Sequence, residues 1–274
     1  MSLRMSPRVA IIAGSGRFPF HIAREAKRQG FEVVALGIQG WADASLASHV
    51  DAYEELGIGQ LRQWIERLKA HGIREAIMAG KVTKAVLLDG RTAFDADAQA
   101  LIGRLGDFSV SALLGAIGQR LAAEGIQLLD SSTFLSASLC PPGPLTVRRP
   151  SAAEEDDVRL GLQVARQLAT LDVGQTVVVK GRVVIAVEAL EGTDAAIQRA
   201  HALVGSGLVV VKSAAVNQDR RFDLPVIGPK TLQILRECGA SCLAVEAGAT
   251  LLLDRDALIA SANDAGLCLV GVAA

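Results

Sequence analysis

Two short segments of this chain place carboxylates and glycine directly behind runs of β-branched residues. Glu188-Ala189-Leu190-Glu191-Gly192-Thr193-Asp194 follows Val183 to Val187. Asp219 to Gly228 (DRRFDLPVIG) comes shortly after Val209 to Val211. Strand ends that open into glycine-relaxed loops are where α/β proteins put ligand-binding groups. The acids suit a divalent metal or a proton, and Lys212, Arg220 and Arg221 suit a phosphate. Together they describe a site for an anionic, metal-assisted reaction.

Glu188, Glu191 and Asp194 recur every three residues after a strand, and such a set can take Mg²⁺ through one or two direct contacts and water. Asp194 equally suits a helix cap. Asp223 is the sharpest single residue: it lies between Phe222 and Leu224-Pro225, and the proline biases Leu224 to extended backbone. A carboxylate in that apolar setting is partly desolvated and able to take a proton or hold a metal. The plainer alternative is a buried aspartate bonded to backbone N–H groups.

Two further loops follow strands nearer the N-terminus. Ala13-Gly14-Ser15-Gly16-Arg17-Phe18-Pro19 sits at a strand-to-helix turn, where amides and the helix dipole can hold an anion. Proline at 19 and the lack of an acid near Gly37 argue against a dinucleotide fingerprint. Ala79-Gly80-Lys81 is no P-loop, yet Lys81 at the mouth of a parallel sheet can meet phosphate, or remain a solvated lysine. Asp107, after Gly106, reads as an N-cap or as a substrate contact. His21, His49, His71 and His201 show no metal-ligand spacing, and no GxSxG elbow occurs.

The elements that must carry these residues alternate strand and helix. The expected strands are 9–13, 31–36, 75–79 and 126–129, with helices over 18–29, 59–71 and a stripe at Leu113, Leu114, Ile117 and Leu121. Repeats of this length imply a parallel sheet with right-handed crossovers. Cys140-Pro141-Pro142-Gly143-Pro144 reads as irregular, and the stretch to Pro150 as a linker. Beyond it a helix over 152–171, a hairpin of 176–179 with 183–187, helices over 194–204, 229–238 and 256–265, and strands near 208–211, 243–246, 251–253 and 267–270 make a mixed sheet. The expected fold is α/β: a Rossmann-like parallel domain over 6–138, a linker over 139–150, and a C-terminal mixed α/β domain over 151–274 carrying the catalytic acid.

The chain has 274 residues, half of them apolar and 21% charged, with a formal net charge of −1. Two modest domains with large cores fit that size. Near-zero charge gives no global attraction to nucleic acid. Four cysteines without a CxxC pair suit a reducing cytoplasm, with Cys238 and Cys242 as small core residues. Residues 1–8 lack the apolar stretch of a signal peptide, and no segment approaches the ~18 apolar residues of a spanning helix. The expectation is a soluble or membrane-surface protein.

In combination, Ile11 to Pro19, Ala79 to Val82, Asp172-Val173-Gly174-Gln175 with its hairpin, Glu188 to Asp194 and Arg221 to Gly228 occur in an order that resembles the UDP-2,3-diacylglucosamine pyrophosphatase family of bacterial lipid A synthesis, the type unrelated to calcineurin-like phosphoesterases. The resemblance runs from about Arg8 to Val272. It implies a Mg²⁺-dependent hydrolase (Mn²⁺ being a second candidate) in which water attacks the α-phosphorus, releasing UMP and 2,3-diacylglucosamine 1-phosphate (lipid X). It places the family's catalytic aspartate at Asp223; by their chemistry Asp223, Glu188 and Glu191 are the expected metal ligands, with Asp194 as an alternative. Gly14, Ser15, Gly16, Gly80, Lys81, Asp107, Thr193, Asp194, Lys212 and Arg221 fall in matching motifs as substrate-binding residues. Phe108-Ser109 stands where a second acid is expected. The implied partners are a glycolipid-nucleotide substrate, a membrane surface and a second copy in a homodimer, with no nucleic acid. The implied place is the cytoplasmic side of the inner membrane. The competing readings are a nucleotide-binding oxidoreductase, which Pro19 disfavours, and a non-catalytic sugar-nucleotide binder, which leaves the acids at 188–194 and 223 without purpose.

Overall fold

The computed structural model describes residues 6–82, 92–105, 110–214, 219–222 and 224–273. Its chain divides into two compact units: residues 1–135 with 219–222, and residues 136–218 with 223–274.

In the first unit the elements run β1 (Arg8–Ala13), α1 (Phe18–Arg28), β2 (Glu32–Ile38), a 3₁₀ turn at Ala44–His49, β3 (Ala52–Leu56), α2 (Leu61–Ala70), β4 (Glu75–Ala79), α3 (Ala96–Ile102), α4 (Val110–Ala123) and β5 (Gln127–Leu128). The five strands are parallel, in the order β3-β2-β1-β4-β5. Val9, Ala10 and Ile11 are fully buried, as the continuous apolar runs of a sheet covered on both faces require. α2 buries Leu61, Trp64, Ile65 and Leu68, the spacing that marked it as amphipathic. β3 and α3 were not expected. β3 is an edge strand whose residues are exposed or half-buried, so it lacks an apolar alternation, and α3 buries only Ala98.

In the second unit the order is β6 (Gly143–Pro144), α5 (Ala152–Thr170), β7 (Thr176–Lys180), β8 (Val183–Val187), α6 (Thr193–Val204), β9 (Leu208–Lys212), β10 (Val226–Ile227), α7 (Pro229–Glu237), β11 (Ala240–Glu246), β12 (Leu251–Leu252), α8 (Arg255–Asp264) and β13 (Cys268–Val272). Six strands form a mixed sheet, β6-β13-β11-β9-β7-β8, and β10 pairs with β12 apart from it. β9, β11 and β13 are parallel, while β7 runs antiparallel to both β8 and β9. The β7–β8 turn is held from outside the hairpin: the buried Asp157 of α5 accepts the amides of Gly181 and Arg182.

One expectation is corrected here. Cys140 to Pro144 was read as irregular, yet Gly143–Pro144 forms β6, antiparallel to β13 through Val270 and Gly271. The proline is tolerated because β6 is the outer edge of the sheet, where no ladder donor is needed on its far side. Cys140 is 1% exposed and packs into the core of this unit. All four cysteines are buried and unbridged.

Candidate active site

In the first unit the strand order reverses between β1 and β4, and at such a switch point the loops leaving two adjacent parallel strands diverge to open a crevice. The loops here are 14–17 and 80–82. They are stitched together by backbone: Gly14 N–H donates to Ala79 O (2.8 Å), Ser15 N–H to Lys81 O (3.0 Å) and Lys81 N–H to Ser15 O (2.9 Å). The Ser15 hydroxyl also donates to Lys81 O at 2.8 Å. The approach is so close that a Cβ on Gly14 would lie 2.9 Å from Lys81 O, and one on Gly80 2.7 Å from the Gly14 carbonyl carbon. Gly80 also has φ +99°, a conformation that L side chains rarely adopt.

The amides of Gly14 and Ser15, expected to cradle an anion, are therefore used within the protein. Among the described residues, the amides of Gly16 to Phe18 at the start of α1 remain without a backbone partner at this switch point, and the N-cap Arg17 makes no side-chain capping bond. Lys81, whose backbone pairs with Ser15, is itself exposed.

Residues 219–222 belong to this unit. Ser131 binds them twice, its amide donating to Arg220 O (2.9 Å) and its hydroxyl to Arg221 O (3.0 Å). Phe222 packs on the apolar cluster that includes Leu121 and Leu128. Arg221, expected to neutralise phosphate, is engaged by Asp219, with contacts of 2.6 to 3.1 Å, and lies 4.8 Å above the Phe222 ring. That carboxylate holds the guanidinium above its ordinary pKa. Asp107 and Asp223 lie outside the described residues.

In the second unit three of the expected residues, Glu188, Thr193 and Lys212, converge at one edge of the sheet. Lys212 ends β9, Glu188 follows β8, and Thr176 opens the antiparallel β7 between them. Thr176 pairs with Lys212 in the ladder, and Glu188 N–H donates to Thr176 O at 2.8 Å, so three neighbouring strands present Glu188, Thr176 and Lys212 in a row. Above the row, α6 starts at Thr193 behind Gly192, whose φ is +84°.

Lys212 is only 7% exposed. Its Nζ lies 3.2 Å from Thr176 Oγ1, 3.0 Å from Thr193 Oγ1 and 3.7 Å from Glu188 Oε2. The Thr193 hydroxyl donates to Glu188 Oε1 at 2.9 Å. Burial pushes the Glu188 pKa up, but the Lys212 charge and the threonine hydroxyls outweigh it, and the net pKa falls below the ordinary 4.5. Among the described residues, the buried Glu188 Oε2 has no hydrogen-bond partner. The result is an ionised carboxylate and an ammonium held in low dielectric, one acceptor unfilled.

The other acids of the 188–194 segment go elsewhere. Glu191 pairs with Arg199 at 2.8 Å and accepts the Ala189 amide. Asp194 occupies the first turn of α6, where its charge meets the positive end of the helix dipole, and pairs with Lys230 at 3.1 Å. Sequence reasoning passed over two buried groups on this edge: Thr176, and Glu246 at the end of β11. Glu246 accepts the Ser213 hydroxyl and the Ala214 amide. A lone glutamate inside the apolar segment 240–246 was the one available sign of it.

No group of three or more His, Cys, Asp or Glu among the described residues could hold a metal ion. With Glu188 held by Lys212 and Glu191 by Arg199, the described residues alone do not fit a Mg²⁺ site.

Comparison with known proteins gives a consistent pattern along the chain. Residues 8–138 match the family model of the LpxI N-terminal domain, and 141–270 that of the LpxI C-terminal domain. UDP-2,3-diacylglucosamine pyrophosphatase LpxI of Caulobacter vibrioides is 31% identical over 277 residues, covering 97% of each chain. The chain belongs to the LpxI family. Among solved structures, CobK precorrin-6A reductase aligns over 97% of this chain and 87% of its own at 14% identity, with a TM-score of 0.31. The biotin carboxylase domain of 2-oxoglutarate carboxylase from Hydrogenobacter thermophilus aligns over 73% of this chain and 41% of its own, at 12% identity and a TM-score of 0.29. This LpxI-family chain thus spans less than half of that second structure's length, and neither likeness is close enough to bear on the site.

Proposed function

We propose that this chain hydrolyses UDP-2,3-diacylglucosamine in lipid A biosynthesis. Water attacks the α-phosphorus, the bond to the bridging oxygen breaks, and UMP and 2,3-diacylglucosamine 1-phosphate leave. The observation that carries the reading is the full-length match to the LpxI pyrophosphatase, both family domains following in order.

The geometry of the second unit supports the same chemistry. Cleaving a phosphoanhydride demands neutralisation of charge on the phosphoryl oxygens and a water placed for in-line attack. A lysine ammonium fixed at a strand end, beside a helix N-terminus, is a preorganised positive group of that kind. We assign Lys212 to a phosphoryl oxygen, with the Thr193 hydroxyl and the first-turn amides of α6 beside it. In the first unit, the amides of Gly16 to Phe18 and the Lys81 ammonium form a separate group suited to an anion. Asp223 is assigned as the group that orients or deprotonates the water.

Mg²⁺, or Mn²⁺ in its place, is proposed as cofactor, where it would neutralise phosphate charge. Its ligands would have to include groups beyond the described residues, and no step is derived through it. The two acyl chains of the substrate motivate a peripheral position on the cytoplasmic face of the inner membrane. Among the described residues no helix is long and apolar enough to cross a membrane. A homodimer is proposed as the assembly, checked by light scattering.

The deciding assay incubates the protein with UDP-2,3-diacylglucosamine and Mg²⁺ and follows UMP. Release is expected, lost in EDTA and in Asp223→Ala. Binding without turnover in the unmodified protein would leave a sugar-nucleotide binder instead.

A further inference from the structure

Thr176 stands at the centre of the row Glu188, Thr176, Lys212, and neither motif nor spacing pointed to it. It is 1% exposed, on a strand laddered on both sides, by β8 and by β9. A lysine has a four-carbon stem with many rotamers, so whatever fixes its ammonium decides where the charge is presented. Here two hydroxyls fix it, Thr176 at 3.2 Å and Thr193 at 3.0 Å. An ammonium has three donors, and among the described residues these two acceptors leave the third for another oxygen. Glu188 Oε2, at 3.7 Å, is too far to satisfy it as a hydrogen bond.

The two hydroxyls lie 3.3 Å apart and both help to hold the Glu188 charge, but their backbones differ. Thr193 lies at a loop-to-helix turn and donates to Glu188. Thr176 sits on a sheet-embedded strand, where backbone position is fixed most tightly.

We propose that Thr176 is a positioning residue for the reaction, holding the Lys212 ammonium at the sheet edge with one donor directed to an anionic phosphoryl oxygen of the substrate. This rests on the hydrolase reading above. If the hydroxyl served only to satisfy a buried charge, its loss would lower stability without acting through Lys212 on turnover.

The experiment is a mutant cycle on the full-length protein, with kcat and KM measured on UDP-2,3-diacylglucosamine and folding checked by thermal unfolding. Thr176→Val is expected to lower kcat/KM about tenfold, the worth of one hydrogen bond to a charged group, chiefly through kcat. Thr176→Ser keeps the hydroxyl and is expected to restore most of it. In a Lys212→Met background, Thr176→Val is expected to add little, because the group it positions is gone. Should Thr176→Val fail to fold, Thr176→Ala carries the same comparison. An equal loss in both backgrounds, a serine variant as impaired as valine, or a Lys212→Met enzyme with unchanged turnover each overturns the proposal. Absence of UMP from the unmodified protein removes the hydrolase reading and this role together, whereas normal turnover in Thr176→Val removes the role alone.

Discussion

Glu188 and Lys212 share one buried location, and each makes the other tolerable there. A buried ion pair adds little net stability, because desolvation cancels much of the attraction, but removing one partner strands the other charge. Glu188→Gln is therefore expected to destabilise the protein by about 3 kcal/mol at pH 7, measured by urea unfolding. The pH dependence has a definite sign. The folded-state pKa of Glu188 is depressed, so its contribution is present above the ordinary 4.5 and is lost as pH falls through the lowered value. Over that acid window the stability of the glutamine variant is expected to vary less with pH than that of the unmodified protein; parallel curves would show that the pair does not titrate in this way. In the other unit, Gly80→Ala would force a side chain into left-handed backbone and against Gly14. We expect about 2 kcal/mol of lost stability and impaired turnover, checked by thermal unfolding alongside UMP release. Unchanged melting would mean that the 14–17 and 80–82 loops move apart easily.

The capping of α5 shows how an element start becomes an acid-sensitive point. Ser151 and Glu154 form a capping box, each side chain binding the other's backbone amide. Arg148 adds an ion pair to Glu154 at 2.7 Å. Burial raises the Glu154 pKa, but the Ser151 amide, the Ser241 hydroxyl and Arg148 outweigh it and take it from 4.5 to about 2. Its contribution is thus fully present above pH 4.5 and lost between there and pH 2, about 3 kcal/mol in all. Glu154→Gln should remove most of that acid-dependent part, read from unfolding midpoints at pH 7 and pH 3; an unchanged difference between the two would sink the assignment. The start of α5 was legible in sequence because the acids from Glu154 to Asp157 crowd its first turn, whereas the Ser151 cap was not read. β3 and α3 were not legible, since neither exposed, acid-bearing edge strands nor single-turn apolar contacts leave a period to read. Thr176 was hidden for another reason. Ahead of three valines, a threonine reads as an ordinary strand former, and only the β7–β9 pairing sets it against Lys212.

At the scale of the chain, the two α/β units and the strand-end placement of Glu188, Thr193 and Lys212 were readable because β-branched runs and glycines mark where strands stop. Which cation each acid takes was not readable, because that depends on helix faces and neighbouring strands. Arg199 sits eight residues beyond Glu191, and Lys230 far from Asp194, yet each closes on its acid. The tetrapeptide 219–222 was equally hidden. It lies between segments of the second unit in sequence but belongs to the first, its phenylalanine 3.3 Å from where a Cβ on Gly118 would stand. A gene cut near residue 138, at the seam between the two family segments, would therefore yield an N-terminal fragment missing part of its own interior. Such a fragment is expected to be sticky and easily proteolysed, and to gain resistance when a peptide spanning Asp219 to Phe222 is supplied in trans.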